Sequence, residues 1–338
     1  MQSSESNYLS GWVRDLPEIA NLLGLAGPAL LLEAAPALAE SLRAAINRLN
    51  SKSFLELPDP SALVLEHSGQ PKLASMWRSS VATRTIQTFE SGATAEQVTA
   101  MRESGGSGAG LWLGLPTQPS HHLTDQEYTT SVRLRMSLDI FHREERRNAT
   151  CNHKGGPRSG NRICQTQLDP AGLHALLCKL GGHIIKRHNR IRDLLAQLLQ
   201  EVSPATVNVE QHTGLDADQR RPDVDFLDHH ARRQHIDVEI VTPHARAMSG
   251  TAAPHRAGSL IETGESTKRR KYPNVRLLPA VASHLGRYGQ GFQTIIRNMY
   301  RQADESERSS SIAGAYQKIG AEIQRANVII LGSAGRLL

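Results

Sequence analysis

The sequence has few of the features that stabilise secreted or membrane-embedded proteins. Three cysteines in 338 residues cannot form a disulfide framework, which favours a reducing compartment. No apolar run is long enough to span a membrane, since residues 29–39 are interrupted by Glu33 and Pro36. The N-terminus lacks the basic region of a secretory signal, and aromatic residues make up only 4%, which argues against stacking platforms. We therefore expect an intracellular protein with no membrane partner.

The net charge of +6 is distributed unevenly. Residues 131–200 carry 13 basic and 5 acidic side chains, and residues 268–301 carry 8 basic and no acidic ones. Between them, residues 201–267 carry 6 basic and 11 acidic side chains. If the two basic segments meet in space around the acidic one, this is the charge layout of a metal site at the floor of a nucleic-acid groove. Solvated basic helix faces are the alternative interpretation.

The hydrophobic pattern predicts two kinds of architecture along the chain. Apolar residues at helical spacing over 33–49 and 72–103 favour a helical N-terminal region, 1–103. Residues 104–148 are expected to be a linker and helical connector, with a short buried strand at 111–115 and a helix that starts near Thr124.

An α/β pattern follows. A helical stripe runs from Leu173 to Leu198 and is interrupted at Gly181-Gly182. Three later stretches alternate apolar and polar residues with a period of two: 207–210, 223–226 and 236–240. A helix followed by short alternating strands predicts a mixed α and β core. We expect a basic linker at 268–271 and then helices around 292–301 and 313–325.

A cysteine and histidine cluster contains every cysteine of the chain: Cys151, Cys164, His174 and Cys178. Three thiolates and an imidazole can bind Zn²⁺ tetrahedrally and stabilise a small segment that has no core of its own. We therefore predict a zinc segment at 149–183. The spacing between Cys151 and Cys164 is wider than usual, so unrelated cysteines remain the alternative, with His153 and His183 as substitute ligands.

Acidic residues on the expected strands are a second candidate site. Arg221-Pro222-Asp223 is followed by Asp237-Val238-Glu239, and alternation along a strand directs Asp237 and Glu239 to the same face. Asp223 on a neighbouring strand could converge with them. Phosphodiester hydrolysis commonly uses carboxylate-bound Mg²⁺ to activate water. Solvent-facing acids on amphipathic strands are the alternative.

Residues 151–272 resemble the C-terminal region of non-LTR retrotransposon polyproteins that carry a restriction-like endonuclease. The resemblance rests on segments in a fixed order: Cys164 to Cys178 as a CCHC zinc knuckle, Arg187-His188-Asn189 as an "RHN" helix, Arg221-Pro222-Asp223, Ile236 to Val241, and Lys271-Tyr272. Residues 108–138 are also similar to the segment that precedes the knuckle in such polyproteins.

This resemblance implies the PD-(D/E)XK fold, a mixed sheet flanked by helices with its carboxylates at a strand bend, within residues 184–338. Asp223 and Asp237 would bind Mg²⁺ or Mn²⁺, and Glu210 would be an additional acid. Glu239 stands where the motif ordinarily has its lysine.

The resemblance implies that a later residue supplies the missing lysine. Lys271 is the first candidate and Lys268 the alternative, and the cation would stabilise the attacking hydroxide or the transition-state charge. The resemblance and the charge pattern give a set of candidate nucleic-acid contacts: Arg187, His188, Arg190, Arg221, Lys268, Arg269 and Arg270. For Arg187 and His188, helix surface and packing are the alternative role.

The expected function is Mg²⁺-dependent nicking of DNA, with DNA or the RNA of the parent element as partner and the nucleus as location. No Tyr-x-Asp-Asp polymerase motif occurs, so we expect a detached or truncated part of such a polyprotein. The alternatives are a catalytically inactive, zinc-containing nucleic-acid-binding fragment and a decayed copy without a selected function.

Overall fold

The structure is a computed structural model in which the chain forms two compact units, residues 1–94 and 95–338. It describes residues 9, 15–21, 23, 25–53, 56–60, 62–63, 73–141, 149–157, 160–202, 207–210, 221–228, 232–243, 256–273 and 275–338.

The first unit is helical where it is described. Its helices are α1 (Pro28–Ala34), α2 (Pro36–Lys52) and α3 (Leu73–Gly92). The helix expected over 33–49 is divided at Ala35, because Pro36 lacks an amide hydrogen and starts a new helix. The core packs Leu42 and Ile46 of α2 with Trp77 of α3.

The second unit combines helices with one sheet. Its elements in chain order are α4 (Ala95–Glu103), α5 (Asp125–Arg135), α6 (Leu173–Leu177), α7 (His183–Val202), β1 (Asn208–Val209), β2 (Val224–Leu227), β3 (Arg233–Val241), α8 (Ser259–Lys271), β4 (Leu277–Ser283), α9 (Gln290–Met299) and α10 (Glu305–Ala334). Short 3₁₀ turns lie at Leu111–Leu113, Pro119–His121 and Leu180–Gly182.

The four described strands form a mixed sheet in the order β1-β2-β3-β4. The first three strands are antiparallel, and β4 pairs with β3 in parallel after the crossover through α8. Helix α8 packs on β3 and β4, while α7, α9 and α10 enclose the main core with the strands. The mixed helix and sheet architecture expected from the sequence is confirmed.

Several local expectations are confirmed, and two were wrong. Thr124 starts α5 with a capping box to Glu127, and the three alternating stretches overlap β1, β2 and β3. Residues 111–113 form a 3₁₀ turn instead of a strand, with Trp112 buried. The expected linker at 268–271 is the last turn of α8.

Among the described residues, no helix combines the length and apolar character that crossing a bilayer requires.

Candidate metal centre and acidic site

The predicted cysteine and histidine cluster is assembled in the structure. The ligand atoms of Cys151, Cys164, His174 and Cys178 all lie within 4.8 Å of one another. Three sulfurs and one imidazole nitrogen at this separation could bind a metal such as zinc. The clustering that the sequence predicted is therefore confirmed.

A hairpin explains how the widely spaced Cys151 and Cys164 meet. Antiparallel bridges join Thr150 to Gln167 and Lys154 to Ile163. Between these bridges, the Cys151 amide donates to the Thr166 carbonyl at 2.8 Å. The hairpin brings two residues that are distant in sequence side by side, so the wide spacing is compatible with one metal centre.

The second pair of ligands lies on and just after α6. Asp169 accepts hydrogen bonds from the amides of Leu173 at 2.8 Å and His174 at 2.7 Å, which satisfies free donors at the helix start. Cys178 follows the last residue of this helix. The Asp169 carboxylate therefore fixes the short helix that orients His174 toward Cys164, with Nε2 3.3 Å from Sγ.

The three thiols have different electrostatic surroundings. Burial raises the pKa of Cys151 to about 12 and also raises that of Cys178. Burial raises the pKa of Cys164 as well, but hydrogen bonds with Thr166, His174 and Cys178 outweigh it and lower that pKa to about 6. Metal binding would deprotonate all three thiols.

The substitute ligands His153 and His183 lie outside this group of ligand atoms. Their rings stack with centroids 4.6 Å apart. His153 Nε2 lies 2.9 Å from the Ile330 carbonyl and 3.0 Å from Ser333 Oγ, both on α10. His153 therefore attaches the hairpin to α10.

Asp223 directly precedes β2, and Asp237 lies on the neighbouring strand β3. The pairing of the two strands starts with Val224 opposite Ile236, one residue after Asp223. Asp223 Oδ2 accepts a 2.6 Å hydrogen bond from the Val238 amide. The Asp223 side chain thus binds β3 directly where β2 begins.

Two lysines of α8 reach the Asp237 carboxylate. Lys268 donates to Asp237 Oδ1, and Lys271 Nζ lies 3.2 Å from Oδ2. Lys268 Nζ also lies 3.7 Å from Glu239 Oε2 and 3.3 Å from the Val238 carbonyl. Both predicted lysine candidates therefore contact Asp237, and Lys268 also lies near Glu239.

His188 of α7 completes the cluster. Its Nε2 lies 3.1 Å from Asp223 Oδ1. Burial raises the pKa of Asp223, but the hydrogen bond and charge of His188, the Val238 amide and the charge of Lys268 together hold that pKa below its usual value. Asp223 is therefore ionised at neutral pH.

Other predicted residues are directed elsewhere. Glu210 adopts a φ of 53° and its carboxylate pairs with Arg192 of α7. Arg187, predicted to contact nucleic acid, is a buried core residue with 2% exposure that donates to Asn327 Oδ1 at 2.9 Å. The predicted nucleic-acid contact of Arg187 was wrong, because this face of α7 packs against α10. Arg187 has the alternative role, packing in the core.

The remaining basic candidates have different partners. Arg190 pairs with Glu322 of α10, and Arg269 Nη2 lies 3.3 Å from Glu265 Oε2. Arg221 and Arg270 are exposed at the surface.

Among the residues that support the site, Glu265 was missed by the sequence reasoning, and Tyr272 was named in the Lys271-Tyr272 motif without a role. Glu265 of α8 is buried and accepts a 2.7 Å hydrogen bond from the Gly291 amide at the start of α9. Tyr272 is buried directly after α8 and donates to the Arg221 carbonyl at 2.8 Å. The helical spacing of Glu265 and Tyr272 from Lys268 is a sequence signal that could have linked both residues to this site.

Among the described residues, one group of three or more possible metal ligands has its ligand atoms close together, and this group is the cysteine and histidine set. At the acidic site, both oxygens of Asp223 and both of Asp237 have protein donors. Comparison with known proteins matched the chain to no family model and to no curated protein.

Proposed function

We propose that the second unit is a metal-dependent endonuclease domain of a retroelement, which nicks DNA by phosphodiester hydrolysis. The observation that carries this proposal is that Asp223 and Lys268 both contact β3. Asp223, directly before β2, accepts a hydrogen bond from the Val238 amide, and Lys268 of α8 donates to Asp237. Carboxylates beside a lysine ammonium are the groups that phosphodiester hydrolysis uses.

The architecture supports the same proposal. A mixed sheet flanked by helices, with the acids where β2 meets β3, is the arrangement that the resemblance to restriction-like endonucleases implies. The structure also offers a metal centre of the kind that a CCHC knuckle contains. We propose that this centre holds a structural zinc, and that a DNA substrate places the protein in the nucleus.

The acidic site contains carboxylates, the kind of ligand that suits a hard divalent cation. Asp223, Asp237 and Glu239 offer carboxylate oxygens, which Mg²⁺ prefers. When bound, such a cation would activate water and neutralise charge on the phosphoryl group. Because Lys268 contacts both Asp237 and Glu239, cation binding requires its ammonium to move aside, where it can face a phosphate oxygen.

The exposed basic residues next to the acids would hold the DNA backbone. Lys271 and Arg270 lie in the last turn of α8, and Arg221 precedes Asp223 by two residues. Phosphate contacts of this kind set position and carry no sequence information.

A second candidate function is DNA binding without cleavage. It is favoured by the four protein donors that already satisfy Asp223 and Asp237. In that case the lysines and acids would form an ion-pair network, and the basic surface alone would bind phosphates.

Nicking of supercoiled plasmid with Mg²⁺ or Mn²⁺ tests the proposal. Asp223→Asn and Asp237→Asn should each slow nicking about 100-fold or more, because each removes a charge from the reaction centre. Asp225→Asn is the matched control, since Asp225 is a carboxylate two residues after Asp223, buried on β2, and pairs with Arg233. Its nicking rate should stay within about threefold of wild type.

The outcomes separate the two functions. Nicking that survives both Asp223→Asn and Asp237→Asn would reject this site. Salt-sensitive retention of DNA with no nicking by the wild-type protein would favour the binding function.

A further inference from the structure

Tyr272 joins the two halves of the acidic site. It follows α8 directly, and its side chain is 2% exposed. Its hydroxyl donates to the Arg221 carbonyl at 2.8 Å, which lies on the segment that leads into β2. A buried hydroxyl with a backbone acceptor fixes the chain position of that acceptor.

The Arg221 carbonyl is a short distance along the chain from Asp223. Pro222 lies between them and is buried, so its fixed φ limits the freedom of the intervening bond. The Tyr272 hydroxyl therefore restrains the backbone from which the Asp223 carboxylate reaches Val238 and His188.

The ring of Tyr272 contacts the other half of the site. Lys271 Nζ lies 4.6 Å from the ring centroid, a distance suited to a cation–π interaction. The same ammonium lies 3.2 Å from Asp237 Oδ2. One side chain thus contacts the segment of Asp223 through its hydroxyl and the partner of Asp237 through its ring.

We propose that Tyr272 is a positioning residue that sets the separation of Asp223 from Asp237 and its lysines. This inference rests on the proposed nuclease function. The hydroxyl acts on the Asp223 side and the ring on the Lys271 side, so the two contributions can be removed separately. Because Tyr272 is buried, it acts through these neighbours and makes no contact with DNA.

Tyr272→Phe tests the hydroxyl alone, because the ring and its packing remain. We expect kcat for plasmid nicking to fall about tenfold, since misplacement of a reacting group is costly. KM for DNA should stay unchanged because the basic surface is intact, and the half-saturating Mn²⁺ concentration should rise. Hydrogen exchange of a peptide covering 221–227 should become faster.

Tyr288→Phe is the matched control. Tyr288 is also a buried tyrosine whose hydroxyl donates to a backbone carbonyl, that of Tyr316 at 3.4 Å, within the main core. Its kcat and half-saturating Mn²⁺ concentration should stay within about twofold of wild type. Urea unfolding midpoints of both variants show how far each is destabilised.

The results distinguish this inference from the function on which it rests. Wild-type nicking with unchanged kcat in Tyr272→Phe overturns the positioning role and leaves the nuclease proposal standing. Equal losses in Tyr272→Phe and Tyr288→Phe also overturn it, because they indicate general destabilisation. Absence of nicking by the wild-type protein overturns the nuclease proposal and this inference together.

Discussion

Two lysine side chains contact the carboxylate of Asp237, and their surroundings give them different roles. The Lys268 side chain is 16% exposed and its ammonium lies between Asp237 and Glu239. The Lys271 side chain is 46% exposed and rests against the Tyr272 ring. A cation that is shielded from water acts more strongly on nearby charge than one in solvent. Under the proposed nuclease function, Lys268 is therefore the better candidate for transition-state stabilisation, and Lys271 for contact with the DNA backbone.

This difference predicts an order of effects on nicking. Lys268→Met should lower the single-turnover nicking rate about 100-fold, the usual effect of removing one stabilising donor. Lys271→Met should lower it by about tenfold or less, and the exposed Arg270→Met by less than about threefold at saturating protein. A larger loss in Lys271→Met than in Lys268→Met would contradict this assignment.

Arg187 shows what a sequence motif leaves open. Its place beside His188 suggested a shared role at the nucleic acid, yet adjacent residues of a helix point in different directions. His188 faces Asp223, whereas Arg187 faces Asn327 in the interior. Burial lowers the pKa of Arg187 to about 10, so it stays charged at neutral pH. The packing of α7 against α10 sets the direction of each side chain, and this direction places Arg187 in the interior and His188 at the acidic site.

At the scale of elements, the hairpin and α6 form a unit that a bound metal would stabilise. Their four ligands come from two segments, and the interior between them contains Leu168, Ala175 and Leu176. The hairpin also contacts α10 through His153. A metal ion that joins both segments would oppose separation of the hairpin from this core.

Zinc content should therefore depend on His174. We expect the purified protein to bind about one zinc per chain, and His174→Ala to lower its affinity more than about 100-fold, because a lost ligand costs more than a lost second-sphere contact. His122→Ala, an exposed histidine outside the cluster, should retain the metal. Elemental analysis measures both, and full zinc occupancy in His174→Ala would refute the site.

The elements that the sequence predicted least well are those that bring the site together. The three alternating strands were identified because one side of each is apolar, and Asp223 and Asp237 were placed with them. Helix α8 and strand β4 were missed, since α8 ends in four basic residues and β4 contains Pro279. Pro279 is tolerated because β4 lies at an edge of the described sheet. Because α8 was not predicted, the sequence did not show which acids Lys268 contacts.

At the scale of the whole molecule, buried titratable groups link folding to pH. His235 of β3 is buried beside Asp225, with Nδ1 3.7 Å from Oδ1. Burial lowers the pKa of His235 and outweighs the attraction of Asp225, while Arg233 lowers it further. Burial likewise lowers the pKa of His183. Both histidines are therefore neutral in the folded protein over a pH range where the unfolded chain begins to bind protons.

The second unit should consequently lose stability on acidification. A histidine with a lowered folded pKa contributes fully above its unfolded value of about 6.5, and this contribution is lost as the pH falls toward the folded pKa. Each such histidine can lower the free energy of unfolding by up to about 1.4 kcal/mol per pH unit in that window. Hydrogen-exchange protection of peptides from β3 and β4 at pH 7.5 and 5.5, corrected for the intrinsic exchange rate at each pH, measures this change. His235→Phe removes one titrating group, so the stability of this variant should fall less steeply than that of wild type as the pH is lowered. An equal slope in both proteins would show that His235 takes no part.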